Sequence, residues 1–178
     1  MKKQLLIIPS IIFFLILFVF FYLLTIERDP SKIPSNLLNK NFPNFESESL
    51  LKENKFIALE EFKNEKILVN FFASWCKPCR IENPNVVKLY NEYHDKGLNI
   101  IGVSLDKNGQ KDKWLKAIED DGLTWQHVSN LEYWKGPVAQ MYSVSSIPAT
   151  FILDENGIIV AKDLRGDALE AKIAEMLP

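Results

Sequence analysis

The sequence predicts an α/β sandwich, a mixed central sheet covered by helices, preceded by one N-terminal transmembrane helix. Three observations predict it. Residues 4–26 contain no charged side chain. Two nearly continuous apolar runs, 66–72 and 99–105, are each followed by a helical pattern. The chain then closes on a hairpin signal and an amphipathic segment.

The elements follow in chain order. As a helix, residues 4–26 rise about 35 Å, enough for a hydrocarbon core of about 30 Å. Lys2 and Lys3 precede this span, whereas Glu27, Arg28 and Asp29 follow it. The positive-inside bias predicts a cytoplasmic stub at 1–3 and everything after the span outside the cytoplasm. A cleaved signal peptide is the competing reading, but the apolar run is long and no small residues close it. The expectation is therefore a single-pass inner-membrane anchor with a periplasmic domain, where disulfide chemistry is permitted. Residues 27–41, with Pro30 and Pro34, are a linker, and 42–178 form the folded domain.

Within that domain, 66–72 is the signature of a strand buried on both faces. Residues 76–96 follow a helical pattern that contains Pro84 and ends at Gly97. A second buried strand at 99–105 is expected to run parallel to the first. Residues 110–121 form a helix with Trp114, Leu115 and Ile118 on one side, ended by Gly122. A short strand at 125–128 and a helix at 137–142 come next. Residues 150–153 and 158–162 flank Asp154-Glu155-Asn156-Gly157, where Asn-Gly suits the positive backbone angles of a hairpin turn. Residues 167–177 form the last helix.

The 178 residues carry a net charge of −2. Without the first 26, the domain holds 19 basic and 23 acidic side chains and no basic tract. This disfavours nucleic-acid binding. Two cysteines and two histidines exclude a disulfide-rich scaffold and leave little material for a metal cluster.

The chemistry concentrates in Trp75-Cys76-Lys77-Pro78-Cys79. A CxxC that follows a buried strand and opens a helix is a redox motif. The helix N-terminus favours a thiolate on Cys76, Lys77 adds a cation, and Pro78 is tolerated in the first turn. Cys79 lies one turn on, within disulfide reach. Cys76 then attacks a target disulfide, and Cys79 resolves the mixed disulfide. Glu82, one helical turn past Cys79, is the nearest acid to serve as base, against the plainer reading of a solvated helix-face Glu. Zinc binding would have to recruit His94 and His127, which lack paired spacing. Haem attachment would need His where Arg80 stands. A purely structural disulfide of this span closes too small a loop to stabilise much. Before the strand at 149–153, Ile147-Pro148 is either an ordinary strand-opening proline or a cis bond that brings the turn beside the CxxC.

At these residues, and most specifically over 71–80 (FFASWCKPCR), the chain resembles the thioredoxin superfamily in its membrane-anchored TlpA-like branch. That branch includes the cytochrome c biogenesis thiol:disulfide interchange proteins. The resemblance spans roughly residues 36–178 and implies a thioredoxin-like α/β/α sandwich. It implies Cys76 as nucleophile, Cys79 as resolving thiol, Pro148 as cis-proline and Glu82 as the branch's active-site acid. It implies no cofactor. It implies reduction of apocytochrome c disulfides, with electrons from a membrane dithiol donor related to CcdA or DsbD. A general protein-disulfide reductase with other substrates is the alternative. Asn70 stands where thioredoxin has a buried Asp, and Ala149 where the cytochrome-maturation proteins often have Glu. Residues 106–142 look like the branch's insertion. A thiol peroxidase shares the fold, but Ser74-Trp75 does not reproduce the peroxidatic Thr and Pro. A non-catalytic binding module is the third class.

Overall fold

The computed structural model describes residues 4–25, 37–48, 56–62 and 64–177. The chain divides into two units, Met1–Pro34 and Ser35–Pro178. The first contains α1 (Gln4–Thr25), and residues 12–22 of it, whose side chains are described, are exposed. Among the described residues no helix is long and apolar enough to cross a membrane. The membrane reading of 4–26 therefore rests on the sequence. The stub at 1–3 and most of the linker lie outside the described residues.

The second unit is built on a five-stranded sheet in the order β5-β4-β3-β6-β7. Its centre, β3 (Lys66–Phe72), is buried at every residue after the first, so both faces of the sheet are covered. β4 (Leu98–Ser104) runs parallel to β3 in the register Lys66↔Leu98 to Phe72↔Ser104, as the apolar runs predict. β5 (Gln126–Val128) adds to β4 in parallel. β6 (Ala149–Leu153) is antiparallel to β3, and β7 (Ile159–Lys162) is antiparallel to β6. The sheet is therefore mixed and the fold thioredoxin-like.

Alternate residues of β3 sort two aromatic clusters. Phe71 faces Tyr142 and Phe151 at 6.1 and 5.7 Å between ring centroids, and Phe42 stacks on Tyr142 at 3.8 Å. The Tyr142 hydroxyl donates to the Pro43 carbonyl, and burial pushes its pKa well above the phenolic range. On the opposite face, Phe72 packs on His127 at 5.5 Å, with Trp114 and Trp125 around that ring. His127 approaches the β4 backbone so closely that a Cβ at Gly102 would lie 2.3 Å from Nδ1. Only glycine fits there.

The helices come in the expected order, as α2 (Lys77–Tyr93), α3 (Lys111–Asp121), α4 (Pro137–Met141) and α5 (Gly166–Met176). Their bounds lie within a residue or two of those expected, except that α2 ends at Tyr93, three residues early. α2 runs on through Pro84, and its last residues tighten into a 3-10 turn at His94–Lys96 before Gly97 at φ 103°. On α3 the buried residues are Trp114, Ala117 and Ile118, and Leu115 is half-buried.

The hairpin turn differs from the sequence expectation. Gly157 has φ 76°, but Asn156 is not in the left-handed region. Asp154 organises the turn instead, its Oδ1 accepting from the Asn156 and Ile158 amides. Two short strands were also not foreseen. β1 (Glu46–Glu48) and β2 (Phe56–Ala58) form a separate antiparallel pair.

Candidate active site

Residues 73–76 leave the C-terminal end of β3 and enter α2. The register Phe71↔Ala149 places the start of β6, and with it Pro148, at the same end of the sheet. Ser104 and Asp106 lie there too, because Phe72 pairs with Ser104. Two separate stretches thus converge on the loop that bears the cysteines.

Cys76 and Cys79 form a disulfide, with Cα atoms 5.3 Å apart. Cys76 is the N-cap of α2, and its Sγ accepts from the Cys79 amide at 3.2 Å. A sulfur held there receives an unpaired helix N–H and the positive end of the helix dipole, the conditions that favour a thiolate. Both cysteines are nearly enclosed, Cys76 at 4% and Cys79 at 1% exposure, so Cys76 is only slightly the more open. Lys77 and Pro78, the first two helical residues, are exposed. Trp75 is 44% exposed.

Ile147–Pro148 is a cis peptide bond. Ile147 is half-buried and Pro148 buried. The Pro148 carbonyl accepts from Arg165 Nη2, which ties the turn to the segment before α5.

Glu82 is half-buried on α2, and its Oε1 accepts from the Gly166 amide at 2.8 Å. Gly166 is the first residue of α5, so this carboxylate occupies the N-terminus of a second helix. That engagement joins α2 to α5.

Other residues of the site were not singled out from sequence. Asp106 is fully buried, and its carboxylate accepts from the Ser74 amide (3.0 Å), the Ser74 hydroxyl (2.6 Å) and the Ser104 hydroxyl (2.6 Å). It hangs the loop before Cys76 from the end of β4. An acid just past a parallel strand, at the sheet's carboxyl edge, was the available signal. Arg80 forms a two-pronged pair with Asp121, and Asn83, itself 1% exposed, donates to the same carboxylate at 2.6 Å. The hydrogen bond to Asp121 is the main reason the Arg80 pKa is raised. This network fixes the first turns of α2 to the end of α3.

A cysteine pair at a helix N-terminus, past the carboxyl end of the central strand of a thioredoxin-like sheet, defines the class of thiol-disulfide oxidoreductases. The AhpC/TSA family model matches residues 38–162, and the chain belongs to that family. It is 30% identical over 148 residues to the thiol-disulfide oxidoreductase ResA of Bacillus thuringiensis, covering 79% of this chain and 76% of that one. It is 33% identical over 162 residues to the thiol:disulfide interchange protein DsbE of Vibrio cholerae, covering 89% and 84%. It also matches the thioredoxin-like protein YneN of Bacillus subtilis at 37% identity over 66% of this chain, and spans 65% of that protein's length. Among solved structures, the thioredoxin domain of a thiol-disulfide oxidoreductase from Bacteroides vulgatus superposes with a TM-score of 0.73 at 33% identity, over 81% of this chain and all of that one.

Proposed function

We propose that this thiol-disulfide oxidoreductase is a membrane-anchored, periplasmic reductase of protein disulfides, and that its target is the oxidised CxxCH of apocytochrome c. The observation that carries the redox part is the Cys76–Cys79 pair, with the Cys76 sulfur capping α2. The charge-free span at 4–26 supports the anchor. Kinship with ResA and DsbE proteins supports thiol-disulfide exchange as the chemistry.

The steps proposed are those of thiol-disulfide exchange. The Cys76 thiolate attacks one sulfur of the target disulfide, and the other leaves as a thiolate that takes a proton. Cys79 gives its proton to Glu82 and attacks the Cys76 sulfur. The target departs with both thiols reduced, and the Cys76–Cys79 disulfide is left behind. Two electrons from a CcdA- or DsbD-like membrane dithiol restore the pair.

Deletion of the gene, with covalent cytochrome c measured by haem staining, tests the target. Loss of haem attachment, restored by a supplied thiol reductant, is expected. Normal attachment would instead favour a general TlpA-like reductase, in keeping with Ala149 after the cis-proline. Peroxide consumption by the purified protein with a dithiol would favour a thiol peroxidase. Retention of the protein in membranes washed with alkaline carbonate tests the anchor.

A further inference from the structure

The segment between α3 and α4 contains a backbone arrangement that exchange chemistry at the cysteines does not explain. Leu131 and Tyr133 both lie in the left-handed region, at φ 56° and 59°. Bulky side chains adopt that region only where their surroundings hold them, and such positions cluster at functional sites. Lys107 bridges to Glu132, and the Tyr133 amide donates to the Asp106 carbonyl. The outcome is that the Tyr133 ring sits 5.5 Å from the Trp75 indole, with Lys107 Nζ 4.3 Å over the tyrosine's ring centre. Asp106 meanwhile fixes Ser74, the residue before Trp75, through its side chain. One dipeptide, Asp106-Lys107, thus holds both the residue before an exposed tryptophan and the ring packed on it.

We propose that Tyr133 is a positioning residue of disulfide exchange. It holds the Trp75 indole as an apolar shelf beside Cys76, against which the polypeptide joined to Cys76 in the mixed disulfide lies. This rests on the reading of Cys76 as the attacking sulfur and not on the identity of the target. The occupant follows from the chemistry. Attack by Cys76 brings the residues flanking the target's cysteine next to Trp75, and an extended chain offers its side chains to a half-exposed ring. A small disulfide carries no such flanks, so the shelf distinguishes polypeptides from small thiols.

The test uses the pre-reduced full-length protein, mixed with insulin or with oxidised glutathione, and follows formation of the Cys76–Cys79 disulfide against substrate concentration. Tyr133→Gly removes the ring while suiting the left-handed backbone, which keeps the fold intact. It is expected to lower the second-order rate with insulin about fivefold more than the rate with oxidised glutathione, the scale of one lost aromatic contact. Tyr133→Phe is expected to restore the wild-type ratio. In a Trp75→Ala background, Tyr133→Gly is expected to change the ratio no further. Equal slowing of both substrates, an unchanged ratio, or failure of Tyr133→Phe to restore it would each overturn the proposal. A Cys76→Ser protein that still reduced both substrates would overturn the reading of Cys76 itself, an outcome separate from any change at Tyr133.

Discussion

At the scale of single residues, the two titratable groups most informative about this protein are His127 and Glu82. His127 is fully buried among aromatic rings. Its Nε2 donates to the Leu123 carbonyl at 3.2 Å, and Nδ1 has no partner among the described residues. Desolvation lowers its pKa from 6.5 to about 4. The sign follows from proton binding. As pH falls below 6.5 the unfolded chain takes up a proton that the folded chain refuses, so stability drops until about pH 4. Unfolding free energies from urea titration at pH 7 and 4.5 should differ by about 2–3 kcal/mol from this group, and His127→Gln should flatten that part of the slope. For Glu82, the carboxylate's place at the start of α5 and its proposed work as a base separate in one variant. Glu82→Gln keeps an acceptor for the Gly166 amide, so thermal stability should fall by less than about 1 kcal/mol. The decay of a trapped mixed disulfide should slow about a hundredfold if Glu82 takes the Cys79 proton. Unchanged decay would leave the residue with only its capping role.

At the scale of elements, α2 is held from two sides. Arg80 and Asn83 tie it to α3 through Asp121, and Glu82 and Lys88 tie it to α5 through Gly166 and Glu170. The Lys88–Glu170 pair is open to solvent and adds little. The Asp121 contacts are sheltered, and removing them strands a buried amide. Asp121→Ala should destabilise the protein by about 1–3 kcal/mol in urea titration, with Asp121→Asn intermediate. These elements also show what a sequence can and cannot declare. β3 and β4 were legible because burial on both faces leaves a nearly continuous apolar run. The first turn of α2 was legible because cysteines three residues apart have a single economical geometry at a helix start. β1 and β2 were not, since three-residue strands such as Glu46–Glu48 carry too few positions to show an alternation. Asp106 and Ser74 meet across 32 residues of chain, and no local pattern announces such a contact. Tyr133 was hidden for another reason, because its backbone conformation contradicts the preference of its side chain.

At the scale of the molecule, the unit Ser35–Pro178 contains the sheet, both aromatic clusters and the cysteine pair. The buried core residues described, from Phe42 to Leu177, all belong to this unit. A chain beginning at Ser35 should therefore unfold in one cooperative transition and reduce insulin at the rate of the full-length protein, as followed by turbidity. A truncated chain that fails to fold would show that the N-terminal segment contributes to the domain.

The cap formed by Cys76 on α2 bears on how this protein is best silenced in the laboratory. The sulfur has two duties at one position, one chemical and one architectural, and a methyl group can discharge neither. Alanine would therefore blunt reactivity and fray the scaffold together, leaving the two losses entangled. A hydroxyl at the same spot still greets the Cys79 amide. Serine is thus the replacement that extinguishes the electron traffic while sparing the architecture.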